Sequence, residues 1–305
     1  MRLTDGMFRM ITENRMNRQL NIKWKENEKD HMQVRQSGAL VYLTYPAIEA
    51  VGIVSHGFST RLGGASEGIF SSMNLSFTRG DDPDSVMENY RRMAGALGVS
   101  MEKIVTSDQT HTTNVRVVTE ADAGKGITKP RDYKEVDGMV TNVPGLVLAT
   151  FYADCVPLYF VDPVKKAIGL SHSGWRGTGG KMGKVTVETM VREYGSNPAD
   201  MIAAIGPSIC QACYEVSEDV ADAFAAVFPA HEILKKGRMS EEGQKYQLDL
   251  WRANELVMLE AGIRPEHISR PGICTCCNPE FLFSHRASHG KRGNLGAFLA
   301  LKERQ

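Results

Sequence analysis

Hydrophobic and polar positions change their spacing along the chain after residue 38, and these changes predict alternating strands and helices. Short apolar runs at 39–48 ("ALVYLTYPAI") and 51–60 ("VGIVSHGFST") are typical of strands. Residues 81–98 repeat their apolar positions at helical spacing, with Asp82 placed to cap the first turn and Gly98 placed to end the helix.

The centre of the chain holds apolar, β-branched segments at 136–142, 145–162 and 167–175, separated by Pro, Gly and Asp turns. Such segments predict buried neighbouring strands. Strands interleaved with helices indicate a layered αβ architecture. The remaining predicted elements are helices at 179–195, 217–228 and 248–262 and strands at 115–118, 200–207 and 281–285.

Residues 1–37 differ from the rest because they are polar and charged, with no sustained period. They predict a flexible N-terminal arm, or sequence upstream of an alternative start at Met32. No low-complexity linker divides the remaining chain. We therefore expect residues 38–305 to form a single domain.

Charge and composition argue against several classes of protein. Lys plus Arg equals Asp plus Glu at 36 each, so no general electrostatic attraction to nucleic acid or to an anionic membrane is expected. No apolar run reaches the roughly 20 residues of a membrane span, and the N-terminus lacks the apolar core of a secretion signal. We expect a cytoplasmic protein whose six cysteines are thiols or metal ligands rather than disulfides.

Candidate chemistry lies where a strand ends or a loop begins. His111, Cys155 and His172 each occupy such a position, and strand ends meet at one rim of a sheet. One cysteine and two histidines form a suitable ligand set for catalytic Zn²⁺, with the fourth position left for water. Asp154 is placed to orient a ligand or to carry protons, and His56 is predicted at the same rim.

Other interpretations of the same residues stay open. A cysteine beside apolar residues is commonly a small core side chain, and a histidine at a strand end is commonly structural. Cys155 can instead be a nucleophile with His172 as its base, as in a cysteine hydrolase, and a zinc-stabilised binding module is a non-catalytic alternative. A multicopper oxidase is disfavoured, because eight scattered histidines do not supply its clustered ligands.

Two arginines and the remaining cysteines add further hypotheses. Arg61 and Arg176 lie in glycine-bearing loops, where a guanidinium can bind an oxyanion such as phosphate. The segments "CQAC" (210–213) and "CTCC" (274–277) can together form a structural zinc site. The second segment is an irregular match to the C-x-x-C spacing, so buried thiols are the favoured interpretation.

Seven segments, taken in order and spacing, resemble the laccase-domain family over residue 39 to the end. Its members were once labelled multicopper polyphenol oxidases and are now regarded mainly as purine nucleoside phosphorylases with adenosine deaminase side activity. The segments are "HGFSTRLGGASEGIFSSMNLSF", "SDQTH", "DGMVTN", "ADCVPLYFVD", "GLSHSGWRG", "IGPSICQACYEV" and "FLFSHR".

The resemblance implies an α+β fold, a three-layer αβα sandwich with a mixed β-sheet. It implies that His111, Cys155 and His172 bind zinc, with copper less expected, and it places Arg61, Asn74 and Arg176 in motifs near the site. The implied substrates are phosphate and a nucleoside (adenosine, inosine or methylthioadenosine), with no nucleic acid or membrane partner and with a homodimer left open.

The resemblance also keeps alternatives open. The family fold is similar in outline to bacterial toxin cysteine deamidases, and a related branch edits peptidoglycan precursors. Two segments depart from the family pattern, which often has Gln-Val-His-Gly around His111 and Ser-Tyr-Arg-Arg-Asp from residue 284. This chain has Thr110 and Thr112 around the histidine and His285-Arg286-Ala287-Ser288 in the second segment.

Overall fold

The computed structural model describes residues 20–25 and 32–303, and its strands in these ranges form two six-stranded sheets and one three-stranded sheet. The strands are β1 (Gln33–Ser37), β2 (Leu40–Thr44), β3 (Val54–Ser59), β4 (Ile104–Thr106), β5 (Val115–Val117), β6 (Gly138–Thr141), β7 (Val147–Tyr152), β8 (Val156–Asp162), β9 (Ala167–Ser173), β10 (Ile202–Ile205), β11 (Glu215–Ser217), β12 (Leu234–Ser240), β13 (Gly243–Leu248), β14 (Ile268–Ser269) and β15 (Leu295–Leu301).

The helices of the same ranges alternate with these strands. They are α1 (Pro46–Ala50), α2 (Pro83–Leu97), α3 (Trp175–Gly179), α4 (Met182–Tyr194), α5 (Glu218–Ala225), α6 (Ala230–Ile233), α7 (Leu250–Glu260) and α8 (His285–Ser288). Short 3₁₀ turns occur at Gly68–Phe70, Met101–Lys103, Glu120–Asp122, Pro198–Asp200, Gln211–Cys213 and Pro265–His267. Within the described ranges, no helix is long and apolar enough to cross a membrane.

Both large sheets mix parallel and antiparallel pairs. The first sheet has the order β1-β2-β3-β15-β7-β4, in which only β7 and β4 pair in parallel. The second has the order β14-β10-β8-β9-β6-β5, with parallel pairs at its two edges. The third sheet, β11-β13-β12, is antiparallel.

The two large sheets pack face to face. Successive residues of each strand point to opposite faces, so one face of each sheet contacts the other sheet and the opposite face contacts helices. In β8, Tyr159 belongs to the core cluster between the sheets, whereas Phe160 belongs to the cluster shared with the helices outside. In β15, Leu299 lies between the sheets and Phe298 faces α2. The Tyr159 hydroxyl donates to the carbonyl of Gly57 across the interface, at 3.2 Å.

The helices cover the outer faces of this double layer. Asp82 precedes helix α2 and caps its first turn with its carboxylate, and Gly98 follows the helix in the left-handed conformation, as the sequence predicts. Helices α4 and α7 cover the second sheet. The predicted α+β class with mixed sheets is confirmed. Two packed sheets lie between the outer helices.

Two predictions from the sequence are wrong. A strand was expected at 281–285, but the backbone N–H groups of Phe281 and Leu282 donate to the carbonyl of Asn278, which makes a turn. The chain then enters α8 from its N-cap, Ser284. Phe281, Leu282 and Phe283 are buried in the core, and this burial explains the apolar run without a strand.

The second correction concerns the N-terminal arm. Residues 33–37 form β1 and pair with β2, and Trp24 forms a bridge with Ile273, so the domain begins before residue 38. Val34 is the apolar anchor of β1 and is 4% exposed. A polar edge strand gives no periodic signal, because its exposed positions outnumber its buried ones. The rest of the predicted arm, 1–19 and 26–31, lies outside the described residues.

Candidate active site

The β8–β9 hairpin brings Cys155 and His172 together. Pro157 of β8 pairs with His172 of β9, and Val156 pairs with the following residue, so the start of one strand lies beside the end of the other. Cys155 directly precedes β8 and therefore faces His172. The structure thus joins two of the predicted ligands through ordinary antiparallel register.

His111 reaches the same place from the loop between β4 and β5. Its Nε2 lies 4.0 Å from Sγ of Cys155, and its ring is 5.0 Å from that of His172, centroid to centroid. One ligand atom from each of the three side chains lies within 4.8 Å of the others. His111 itself is in the left-handed backbone region, with φ 66°.

Gly174 leaves the room that these ligands need. A Cβ at this position would lie 3.0 Å from the ring of His111 and 3.2 Å from the sulfur of Cys155. Any larger residue would push the two side chains away from the backbone that follows β9. The glycine after "SHS" therefore serves close approach.

A buried carboxylate, Asp137, organises both histidines. Its Oδ1 lies 2.7 Å from Nδ1 of His172, so Nε2 of that ring is left for a ligand. The carboxylate also accepts the backbone N–H groups of Thr110, His111 and Thr112 at 2.9–3.1 Å, and it is fully buried. Asp137 thus fixes the ring of His172 and the loop that carries His111.

The electrostatics of the cluster favour an ionised sulfur. Burial opposes ionisation of Cys155, but the charge of His172 and the hydrogen bond from His111 lower the pKa of its thiol to about 6. Burial likewise opposes charge on His172, yet Cys155 and Asp137 raise its pKa to about 9. A metal cation favours the same thiolate and requires the imidazole to be neutral.

The three side chains open into a cavity of about 800 Å³, a size typical of small-molecule sites. Its walls combine aromatic rings with cationic groups. The aromatic residues are Phe77, Tyr90, Phe151 and Tyr152, and the cationic ones are Arg79, Lys129, Arg131 and Arg292.

Arg292 is the most unusual of these cations. Its Nε is buried and has no hydrogen-bond partner among the described residues, and its other contacts are with the Gly293 carbonyl and the Asn294 side chain. Burial, and then the nearby charge of Arg79, lower the pKa of Arg292 to about 10. Neither arginine forms an ion pair with a carboxylate in the described ranges, whereas Arg131 binds Asp108 at 2.9 Å. This corner of the cavity is suited to an anion.

Comparison with known proteins agrees with this geometry. The family described as multi-copper polyphenol oxidoreductase laccase matches residues 55–302. The chain belongs to this laccase-like family. Its relatives include purine nucleoside phosphorylase YlmD of Bacillus subtilis (strain 168), which is 39% identical over 81% of this chain and 88% of the relative. They also include adenosine deaminase RL5 from an unidentified prokaryote, 36% identical over 71% of this chain and 82% of the relative.

Solved structures of the family have the same fold. YlmD from Geobacillus stearothermophilus superposes with a TM-score of 0.80 at 34% identity, covering 90% of this chain and 100% of the solved one. The Bacillus licheniformis protein YfiH gives the same TM-score and identity over 88% and 99%. The resemblance found in the sequence motifs is therefore confirmed.

Asp154 does not orient the histidines. Its carboxylate accepts hydrogen bonds from the Thr275 hydroxyl at 2.6 Å and from the backbone N–H of Arg286 at 2.7 Å. Asp154, which directly precedes Cys155, is thereby tied to the start of α8. The orienting position expected for Asp154 belongs to Asp137. A role for Asp154 in proton transfer stays a prediction.

The four residues predicted to contact substrate do not line the cavity that holds the three predicted ligands. Arg61 donates to the carbonyls of Ser71 and Pro279, and fully buried Asn74 binds Asp81 and the backbone of Asn294. These two polar side chains hold loops together, so their place in the motifs has a structural explanation.

The other two predicted contacts are elsewhere. Arg176 is exposed on α3 and lies over the Trp175 ring at 4.2 Å. His56 accepts the backbone N–H of Tyr45 at 2.8 Å and lines a separate cavity. Burial lowers the pKa of His56 to about 4, so it is neutral at physiological pH. The predicted binding roles of these residues gain no support from their positions.

The departure from the family pattern at Thr112 has a structural consequence. The Thr112 hydroxyl lies 3.0 Å from the Asp137 carboxylate and donates to it, in addition to its backbone N–H. A glycine would supply the backbone donor alone. The threonine therefore adds one more contact to the carboxylate that organises the cluster.

Proposed function

We propose that this protein is a zinc-dependent purine nucleoside phosphorylase acting on adenosine, inosine and methylthioadenosine, with adenosine deaminase activity at the same site. The observation that carries the proposal is that one cavity holds the Cys-His-His set and the half-buried guanidinium of Arg292, which has no carboxylate partner among the described residues. The names of the curated relatives support both activities. A cytoplasmic location and a homodimer stay predictions from the sequence.

The ligand set fits zinc. One thiolate and two imidazoles are usual Zn²⁺ ligands, and the hydrogen bond that Nδ1 of His172 donates to Asp137 is the support that metal-bound histidines commonly have. A bound zinc ion supplies Lewis-acid chemistry, which activates water for attack on a purine ring. The identity of the metal is part of the proposal.

Arg292 and Arg79 are the residues that we expect to bind phosphate. Phosphorolysis breaks the bond between the ribose C1′ and the purine and forms a bond between C1′ and a phosphate oxygen, and the departing base takes up a proton. A guanidinium with no competing carboxylate holds the oxyanion in place for that attack.

The aromatic side of the cavity is suited to the nucleoside. Phe77 is half-buried and stacks on Tyr90 with ring centroids 5.6 Å apart, and Phe151 lines the same cavity. Such faces bind a purine by stacking. The cavity therefore presents an aromatic region for the base and a cationic region for phosphate.

Nucleoside assays on the zinc-loaded protein test the proposal. Inosine should yield hypoxanthine and ribose 1-phosphate only when phosphate is present, and adenosine should yield inosine without it. Release of ribose and base at equal rates with and without phosphate would contradict the phosphorylase. If protein with zinc in the active site forms neither ribose 1-phosphate nor inosine, the proposal as a whole is contradicted.

A cysteine-dependent amide hydrolase, including an enzyme that edits peptidoglycan precursors, is the second candidate. Cys155, His172 and Asp137 form the nucleophile, base and orienting carboxylate that such enzymes use. Alkylation separates the two. Zinc binding should protect Cys155 from iodoacetamide until a chelator is added, whereas a free nucleophile reacts at once in metal-loaded protein.

A further inference from the structure

Four cysteines outside the active site lie side by side. Cys210 precedes the 3₁₀ turn after β10 and Cys213 ends it, and Cys274 and Cys277 stand in the same way at the start and end of the turn before Asn278. Ser208 forms a parallel bridge with Cys274, and the backbone N–H of Thr275 donates to the Ser208 carbonyl at 3.1 Å. Main-chain contacts, and not the thiols alone, hold the two segments together.

The sulfur positions match a tetrahedral metal site. Sγ of Cys277 lies 4.0 Å from that of Cys210 and 3.5 Å from that of Cys213, and all four sulfurs are within 4.8 Å of one another. Four thiolates at about 2.3 Å from Zn²⁺ are separated by about 3.8 Å along each edge of the tetrahedron. A disulfide needs sulfurs at about 2.05 Å, so these thiols are not paired covalently.

The sequence has the matching spacing. Cys210 to Cys213 and Cys274 to Cys277 are both C-x-x-C motifs, the arrangement of a zinc ribbon or knuckle. The second motif is harder to recognise in the sequence, because Cys276 is a third cysteine within the same four positions. It is not a member of the cluster.

We propose that Cys210, Cys213, Cys274 and Cys277 bind a structural zinc ion, separate from the metal of the active site. Four protein sulfurs complete the coordination, so no position is left for water or substrate. The Lys25 ammonium lies 3.7 Å from Sγ of Cys277 and offsets part of the charge of four thiolates.

The proposed ion fixes the segment that leads into the cavity. Thr275, between two of the ligands, donates its hydroxyl to Asp154, the neighbour of Cys155. The side-chain NH₂ group of Asn278 donates to the carbonyls of Cys274, at 2.9 Å, and Lys23. Its side-chain oxygen accepts the backbone N–H of Lys23. The zinc ion thus anchors the N-terminal segment and the chain that continues to Arg292.

Metal analysis of the purified full chain tests this assignment. We expect two zinc ions per chain by inductively coupled plasma and native mass spectrometry. Cys274→Ser and Cys277→Ser should each leave one ion, while the matched control Cys276→Ser keeps both. His172→Ala should also leave one ion, but with all four sulfurs still protected from alkylation, so the two sites fail separately. A single zinc ion that His172→Ala removes would overturn the proposal.

Wild-type protein gives a second test that does not depend on the folding of a variant. Iodoacetamide mapping should modify Cys276 in the native protein and modify the four ligands only after a chelator is added. Co²⁺ in place of zinc should give the absorption of a tetrahedral tetrathiolate. Rapid modification of all four thiols without chelator would overturn the site, as would the recovery of a disulfide. Iron in place of zinc would overturn the choice of metal.

Discussion

The Nδ1 atom of His172 lies 2.7 Å from Oδ1 of Asp137, and the same carboxylate accepts the backbone N–H groups of Thr110, His111 and Thr112. One buried charge therefore orients the predicted ligand His172 on β9 and shapes the loop of the predicted ligand His111. Burial would raise the pKa of Asp137, but the hydrogen bond and charge of His172 and these backbone donors lower it to about 2. The carboxylate is ionised throughout the physiological range.

Asp137→Asn should weaken zinc binding at the active site. The amide keeps the size of the side chain but loses the charge, and its NH₂ group faces N–H donors, so we expect a roughly 10–100-fold loss of zinc affinity. Competition with a coloured chelator measures it. Asp108→Asn is the control, because this carboxylate lines the cavity but binds Arg131 instead of a metal ligand. Equal zinc affinity in wild type and Asp137→Asn would contradict the role given to Asp137.

His111→Ala and His172→Ala should each lose the proposed active-site zinc, because each removes one of its three predicted protein ligands. Elemental analysis after dialysis measures the loss of one ion per chain. His231→Ala is the matched control, since His231 is exposed on α6. Full retention of zinc in both ligand variants would place the metal elsewhere.

Arg292→Ala should impair phosphorolysis through phosphate binding. A charge-assisted hydrogen bond contributes about 1.5–3 kcal/mol, so we expect the KM for phosphate to rise roughly 10–100-fold. Phosphate-independent deamination of adenosine should stay close to wild type. Arg176→Ala serves as a comparison, because Arg176 lies outside the cavity. A larger effect for Arg176→Ala than for Arg292→Ala would restore the binding role that the sequence suggested.

The sequence predicts His111, Cys155 and His172 as ligands because each is a thiol or an imidazole where a strand ends or a loop begins, and the structure brings all three side chains together. It does not identify Asp137, although the motif "DGMVTN" contains it. Its role depends on how the loop at 110–112 wraps around the carboxylate, and no local pattern encodes that. Arg292 gives no local signal either, since only the tertiary fold shows that its Nε lacks a partner.

Arg61 and Asn74 are the opposite case, because their predicted substrate-binding roles gain no support from their positions. Both are polar residues in glycine-bearing motifs, a pattern that also fits ligand binding. In the structure their donors are used by backbone carbonyls and by Asp81. Sequence shows which residues can donate a hydrogen bond, whereas the fold decides whether a protein atom or a ligand accepts it.

Asp122 should make stability depend on acidic pH. Burial alone would raise its pKa, but hydrogen bonds from Lys125, the Thr119 backbone and Arg116 lower it to about 2. A folded-state pKa below the unfolded value of about 3.9 contributes stability above pH 4, and this contribution is lost as the pH falls through 2. Its size at neutral pH is about 2 kcal/mol.

Asp122→Asn should therefore lower the free energy of unfolding near pH 6 and should differ little from wild type near pH 2. Urea titrations at both pH values measure the difference. Asp132→Asn is the control, because Asp132 also binds Lys125 but is 65% exposed in its side chain. A constant difference between Asp122→Asn and wild type over this pH range would contradict the explanation.

Deleting residues 1–37 should destabilise the protein, contrary to what their polar composition suggests. The deletion removes β1, including buried Val34, and Met32, and burial of each such side chain contributes about 1.5–3 kcal/mol. It also removes Trp24, which packs against the core and bridges to Ile273. We expect Tm to fall by more than about 5 °C.

Deleting residues 1–19 is the matched control, because it leaves all of these contacts in place. Differential scanning calorimetry of both truncations, at equal zinc content, gives the comparison. The shorter deletion should keep the wild-type Tm, since its polar residues offer little apolar surface to bury. A wild-type Tm after the longer deletion would mean that β1 and the bridge at Trp24 contribute nothing, and the domain would then begin after residue 37.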